Sequence, residues 1–257
     1  MFSSKALEIN DIEVQTFINK FEWKRNKMHN PKTFVDTHRQ WLVNNTFYVK
    51  GLDKFEHGYI TAGCTEAFHE VYKEHCYVLN GEYTYHRDSG MASICDIDSI
   101  PPLSRLIISF PFAETGEIHR NWDYILDVCE RKSIRIFIDA CLSGVSLGKL
   151  DLTHRRITHV AFSFSKAFGT GFQRTGVVYT NMEKTPASVR NKHLYLNHMH
   201  IDLHMDLMQK FASDYIFTKY RMKQIDICKK HSLVQSDCVL FGLEDFKRKC
   251  ITRALEV

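Results

Sequence analysis

Seven short apolar runs follow one another between residues 58 and 180: GYITAG (58–63), CYVLN (76–80), ASICDI (92–97), RLIISF (105–110), IRIFID (134–139), HVAFSF (159–164) and TGVVYT (175–180). Segments with helical patterning lie between several of them, notably TEAFHEVYKEH (65–75) and NWDYILDVCERKS (121–133). Near-continuous apolar strands alternating with helices predict an α/β fold, a seven-stranded, mostly parallel sheet covered by helices on both faces. Residues 1–50 carry helical stretches (EVQTFINKFEWKRNK and KTFVDTHRQWLVNN) and no strong strand signal. Beyond residue 185 the chain reads as mostly helical, with one short apolar run, DCVLFGL, at 237–243. The expected division is an N-terminal helical segment over 1–50, the core of a large domain over 51–185, and a helical return with a reduced small domain over 186–257.

Composition narrows the class. With 44% hydrophobic and 25% charged residues the chain can bury a sizeable core and is not disordered. The formal net charge of +4 is spread along the chain, so it gives no reason to expect a nucleic-acid partner. No apolar run approaches the length of a membrane helix, and the stretch MFSSKALEINDIEV lacks the apolar region of a secretory signal. The eight cysteines are scattered without a C-x-x-C pair, which points to free thiols and a cytoplasmic protein.

In open sheets of this kind ligands bind beyond the carboxyl ends of the strands, so the residues closing each run carry the functional reading. Lys166 follows the run HVAFSF within Ser163-Phe164-Ser165-Lys166-Ala167-Phe168-Gly169. Asp139 closes IRIFID and faces the same crevice. As a Mg²⁺-holding residue it would need a phosphate loop, and the nearest candidate, GVSLGKL at 144–150, has the wrong spacing and follows Asp139. Gly63, Cys64 and Thr65 open a helix after a strand, where free backbone N–H groups and a hydroxyl suit a phosphate. Arg174, eight residues after Lys166, adds a guanidinium that can fork onto the same group.

Taken in this order, these pieces resemble the class I/II aminotransferases, enzymes of fold type I that depend on pyridoxal 5′-phosphate (PLP). The resemblance covers about residues 58–180. It implies that Gly63, Cys64 and Thr65 cradle the cofactor phosphate, with Ser163 and Arg174 as its further partners. It implies that Tyr83 stacks on the pyridine ring, that Asp139 pairs with the ring nitrogen, and that Lys166 holds the cofactor as a Schiff base and moves the proton at substrate Cα. A homodimer is implied as well, for which Phe17, Phe21 and Trp23 offer interface or, equally, pack on their own core.

The departures lie at the substrate end. Ala113 stands where the family's Asn would bond the phenolic oxygen, and Leu142 stands where its Tyr would. His86, Ser143 or Glu114 are the available substitutes. No arginine near the end matches the clamp for the substrate carboxylate, and Arg253 is a poor counterpart. A competing cluster, His198, His200 and His204, has an i, i+4 pair but no acid placed as in H-E-x-x-H; among 14 histidines chance explains it, and no metal is expected.

The resemblance implies a PLP-dependent transferase acting at Cα of an amino-acid-like amine, an aminotransferase first. A decarboxylase or lyase on an unusual or bulky substrate, for instance an amino acid attached to a DNA base as in phages, is the alternative. A catalytically idle binding module is the third reading.

Overall fold

The computed structural model describes all residues except 1, 4, 25–28, 44–45, 73–75 and 257. A seven-stranded sheet organises it: β1 (His57–Thr61), β2 (Cys76–Val78), β3 (Ser93–Ile94), β4 (Arg105–Ser109), β5 (Arg135–Asp139), β6 (Ile157–Ser163) and β7 (Gly176–Thr180). The order across the sheet is β1-β7-β6-β5-β4-β2-β3. β7 runs antiparallel to both of its neighbours, and the remaining pairings are parallel. All seven apolar runs therefore contribute a strand, although the ASICDI run keeps only Ser93–Ile94.

The continuous apolar character of the central strands follows from burial on both faces. Leu106, Ile108, Ile136, Ile138, Val160, Phe162, Val177 and Tyr179 join the larger core on one side. The alternating residues Ile107, Phe137, Ala161 and Val178 join a smaller cluster on the other. The larger core is covered by helices α1 (Ile12–Lys20) and α2 (Pro31–Trp41), and further along the chain by α5 (Trp122–Arg131), α8 (His198–Lys210) and α9 (Tyr215–Lys230). The smaller cluster is covered by α3 (Cys64–Phe68) and α7 (Pro186–Lys192), while α4 (Tyr85–Asp88) follows β2.

Local chemistry sets several of these elements. Asn30 caps α2 through the Lys32 N–H with Pro31 in the first turn, and Phe34, Val35 and His38 form its buried stripe. His38 meets the Tyr179 hydroxyl at 2.8 Å in the core, and burial pushes its imidazole down to about 3, so it stays neutral. Helix α5 buries Ile125, Val128 and Cys129 at i, i+3 and i+4. All eight cysteines are free thiols.

Four expectations need correction. The segment 65–75 is helical only through Phe68, and its last residues, 73–75, lie outside the described chain. The first N-terminal helix ends at Lys20, and residues 25–27 of that stretch also lie outside the described chain. The N-terminal segment holds a strand, Phe47–Lys50, paired in parallel with Gly148–Asp151. Near the C-terminus, Val234–Gln235, Phe241–Glu244 and Lys247–Cys250 form a small antiparallel sheet, of which the apolar run at 237–243 supplies only part. Cys250 also bridges to Ser3, tying the two ends of the chain together. Phe17 and Phe21 pack against the core, whereas Trp23 is exposed. Among the described residues no helix is long and apolar enough to cross a membrane.

Candidate active site

β1, β4, β5 and β6 end at one edge of the sheet, and the antiparallel β7 begins there. Topology alone thus gathers Gly63, Ser109, Asp139, Ser163 and Arg174. Gly63 has φ +82°, a conformation that favours glycine, and a methyl group on it would lie 3.0 Å from Arg174 Nη2 and 3.1 Å from Ser163 Oγ. The guanidinium and the hydroxyl thus converge closely on the Gly63 turn. Arg174 is held across it: Nη2 donates to Thr65 Oγ1 at 3.1 Å and Nε to the Ala62 carbonyl at 3.2 Å. Ser163 caps the α6 turn (Phe164–Ala167) that carries Lys166 and lies 3.0 Å from Ser165 Oγ. The first N–H groups of α3 have no partner inside that helix, as at any helix start.

Gly176 makes this approach possible, and sequence reasoning missed it. A methyl group there would stand 2.3 Å from the Phe162 carbonyl oxygen and 2.8 Å from Gly63 Cα, both backbone atoms that cannot rotate away. Gly176→Ala is expected to cost about 1–3 kcal/mol and to lower affinity for a phosphate-bearing ligand. Thermal unfolding and a phosphate-ligand titration, each with and without the substitution, check this.

Asp139 is buried beneath two thiols. Its Oδ1 accepts the Cys141 N–H at 3.0 Å. Burial pushes its carboxyl up, and hydrogen bonds from Cys64 and Cys141 offset only part of the effect. Burial, and then the Asp139 charge, raise both thiols well above the usual range, so they remain protonated. A carboxylate held dry without a cation is costly, and a protonated ring nitrogen would relieve it. Tyr83 is 42% exposed and stacked on Tyr85 at 6.0 Å between centroids. Burial, and then Cys141 and Asp139, push the pKa of its hydroxyl up, and Arg174 acts against them.

Lys166 is positioned by contacts its sequence surroundings do not announce. Nζ donates to the Ala6 carbonyl at 3.0 Å and to Glu8 Oε2 at 3.2 Å. Burial acts to raise the Glu8 carboxyl, but its own backbone N–H, the Lys166 ammonium and, further off, Arg253 outweigh it and leave it lowered. Arg253 itself makes two 2.7 Å contacts to Glu256.

The residues weighed for the phenolic oxygen separate. Ala113 and Glu114 are tied through their carbonyls to Arg248 of the C-terminal sheet, and the Glu114 side chain packs over Gly81. Ser143 is buried in the 3-10 turn Ser143–Val145, which packs against α6. His86 is buried against Phe68, with Nδ1 2.5 Å from the Tyr72 hydroxyl and Nε2 without a partner among the described residues. Burial pushes His86 down to about 4.

Glu82, next to Tyr83, was not singled out by the sequence. Its two oxygens take the Ser109 N–H at 2.7 Å and the Ser109 hydroxyl at 2.6 Å. Burial, abetted by Asp139, raises it to about 7 against those hydrogen bonds. The folded state therefore holds a proton there that the unfolded chain releases from about pH 4.5 upward, so stability falls as pH rises from about 4.5 to 7. Glu82→Gln keeps an acceptor and a donor for Ser109. It is expected to remove up to about 3 kcal/mol of that pH-dependent loss, read as a flatter profile of melting temperature against pH.

The three histidines of the competing cluster point to separate partners. His198 Nε2 meets the Leu194 carbonyl, His200 faces the backbone of Arg174, and His204 lies between the His200 carbonyl and the Thr170 hydroxyl. Among the described residues no group of three His, Cys, Asp or Glu side chains could hold a metal ion.

Comparison of the sequence with protein-family models and with curated proteins gives no match. Solved structures do resemble the chain. An aromatic aminotransferase from Pyrococcus horikoshii superposes with TM-score 0.66 at 12% identity, covering 94% of this chain and 79% of that one. A PLP-bound C-S lyase from Staphylococcus hominis gives 0.64 at 11%, covering 89% and 68%. The L-threonine-O-3-phosphate decarboxylase from Porphyromonas gingivalis gives 0.62 at 11%, covering 94% and 80%. Identities this low speak for architecture alone: the chain has the aspartate-aminotransferase-like fold of the fold-type I PLP-dependent enzymes.

Proposed function

We propose that the protein is a PLP-dependent enzyme acting at Cα of an amino-acid-like amine, and that it is an aminotransferase. The observation that carries this is the convergence of Thr65, Ser163 and Arg174 on the Gly63 turn, with Asp139 and Lys166 at the same sheet edge. A guanidinium and a hydroxyl converging on a helix-opening turn suit a phosphate, and the dry Asp139 carboxylate suits a ring N–H⁺.

In this reading Arg174, Thr65, Ser163 and the Gly63–Cys64 turn bind and orient the phosphate, while Asp139 fixes the ring nitrogen and Tyr83 covers a ring face. When bound, PLP supplies an electron sink for the charge left on Cα when one of its bonds breaks. Lys166 would hold the cofactor covalently and would move the proton at substrate Cα. Glu8 holds the Lys166 amine in place beforehand.

Decarboxylation or lyase chemistry on an unusual or bulky substrate is the second reading. The Glu8 carboxylate beside Lys166 and the commitment of Arg253 to Glu256 favour it, because neither suits capture of a substrate α-carboxylate. The protein is further read as a cytoplasmic homodimer. Phe172, 92% exposed two residues before Arg174, and Tyr195, 73% exposed, leave apolar surface beside the site that a second copy would cover. Light scattering on the eluting protein tests the dimer. Incubating the PLP-loaded protein with candidate amino acids separates the two chemistries. Keto-acid release with conversion to pyridoxamine phosphate supports transamination, and CO₂ release with the aldehyde form retained supports decarboxylation.

A further inference from the structure

At the opposite edge of the sheet, where β4, β5 and β6 begin, lies a cavity of about 530 Å³ lined by Lys54, Arg105, Arg135, Arg155 and His159. Arg105 and Arg135 are directly paired across β4 and β5, so both side chains leave the sheet on the same face. Like charges at such a position repel and cost stability. His159, two residues beyond the Ile157 that opens β6, pairs with Phe137 of β5 and stands on that face too. The three cationic or titratable side chains thus come from three adjacent strands.

Little on this wall neutralises them. Arg105 donates to the Val71 carbonyl at 2.7 Å, and Lys54 donates to the carbonyls of His154 and Ile157, each at 2.9 Å. Arg155 pairs with Glu130. The one carboxylate lining the cavity among the described residues, Glu70, is engaged by the Ala187 N–H and lies 3.5 Å from Arg190. Among the described residues neither Arg105 nor Arg135 has an acidic partner. His159 is 4% exposed; its Nδ1 meets the Thr158 hydroxyl at 3.0 Å, and its Nε2, although buried, has no partner among the described residues. A buried ring nitrogen left unsatisfied on a cavity wall is costly unless something fills the cavity.

We propose that this cavity is a binding site for a compact phosphate-bearing anion, a phosphate monoester or polyphosphate, separate from the cradle around Arg174. Paired guanidiniums give forked donors to phosphate oxygens, Lys54 adds a point charge, and His159 Nε2 contributes a further contact. The site lies at the end of the strands remote from Lys166, so it does not depend on the reading of the active site.

Inorganic pyrophosphate is the probe, titrated calorimetrically into protein carrying Arg174→Gln, in which the cradle has lost its guanidinium. One equivalent is expected to bind and to raise the melting temperature. Arg105→Gln/Arg135→Gln in the same background is expected to weaken binding at least about tenfold, since charged hydrogen bonds are lost. Lys54→Met, outside the sheet, is expected to weaken it severalfold and serves if the double variant does not fold. Absence of binding in the Arg174→Gln protein, or binding that these substitutions leave unchanged, overturns the proposal.

Discussion

Lys166→Ala is expected to abolish covalent attachment of PLP and to lower turnover by about 10²–10⁴-fold or more, the range for removing a group that transfers a proton in the transition state. The visible absorbance of the PLP-loaded protein should disappear while the melting temperature of the cofactor-free protein changes little. The reason for that small change is local. Lys166 sits on a four-residue turn, and among the described residues its amine bonds only to the Ala6 carbonyl and Glu8. Removing it frees Glu8 but empties no core position. The size of the activity loss comes from two roles on one atom, the covalent link and the proton transfer at Cα. Added ethylamine, which restores an amine without the tether, should recover part of the turnover. If turnover were unchanged, Lys166 would have no place in the chemistry.

Asp139→Asn carries the second large effect, and its two parts have opposite signs. Turnover is expected to fall by about 10²–10³-fold, the loss typical of removing one electrostatic stabiliser of developing charge, because an amide no longer keeps the ring nitrogen protonated. Stability of the cofactor-free protein should move the other way. Burial raises the folded-state Asp139 carboxyl above its unfolded value. The folded chain then binds more protons in the window between the two values, and stability falls with pH across it and stays lower above. An uncharged amide escapes that loss, so the variant should melt at or above the native protein at pH 8 and differ least at acid pH. Loss of turnover without loss of stability identifies a carboxylate kept for function. An equal fall of both would mean that Asp139 only supports the fold.

The sheet was legible because its central strands are buried on both faces. The centres of RLIIS, RIFID and GVVYT have little choice but to be apolar, and that signal survives without knowledge of neighbours. The short strands were not legible, for the converse reason. Lys247–Cys250 reads KRKC and lies at the edge of its sheet, where charged side chains are common. Phe47–Lys50 is held by pairing with Gly148–Asp151, a hundred residues away, which no local pattern reveals.

The site divides in the same way. Gly63, Asp139, Ser163, Lys166 and Arg174 each close or open a strand at one edge, so their order along the chain already places them together. Glu8 reaches Lys166 across 158 residues, Glu82 reaches Ser109 across 27, and Gly176 matters only because Gly63 and Phe162 press against it. These depend on tertiary packing alone. The arginine pair at the far edge has the same origin: Arg105 and Arg135 are unremarkable strand-opening residues until β4 and β5 bring them side by side.

The central claim is that Lys166 carries the cofactor. Incubating the protein with PLP, reducing with borohydride and mapping the peptides by mass spectrometry tests it directly. One phosphopyridoxyl group on the peptide containing Lys166, lost in Lys166→Ala, is the predicted result. Protein that takes up no PLP, or a label spread over other lysines with Lys166 untouched, would contradict it.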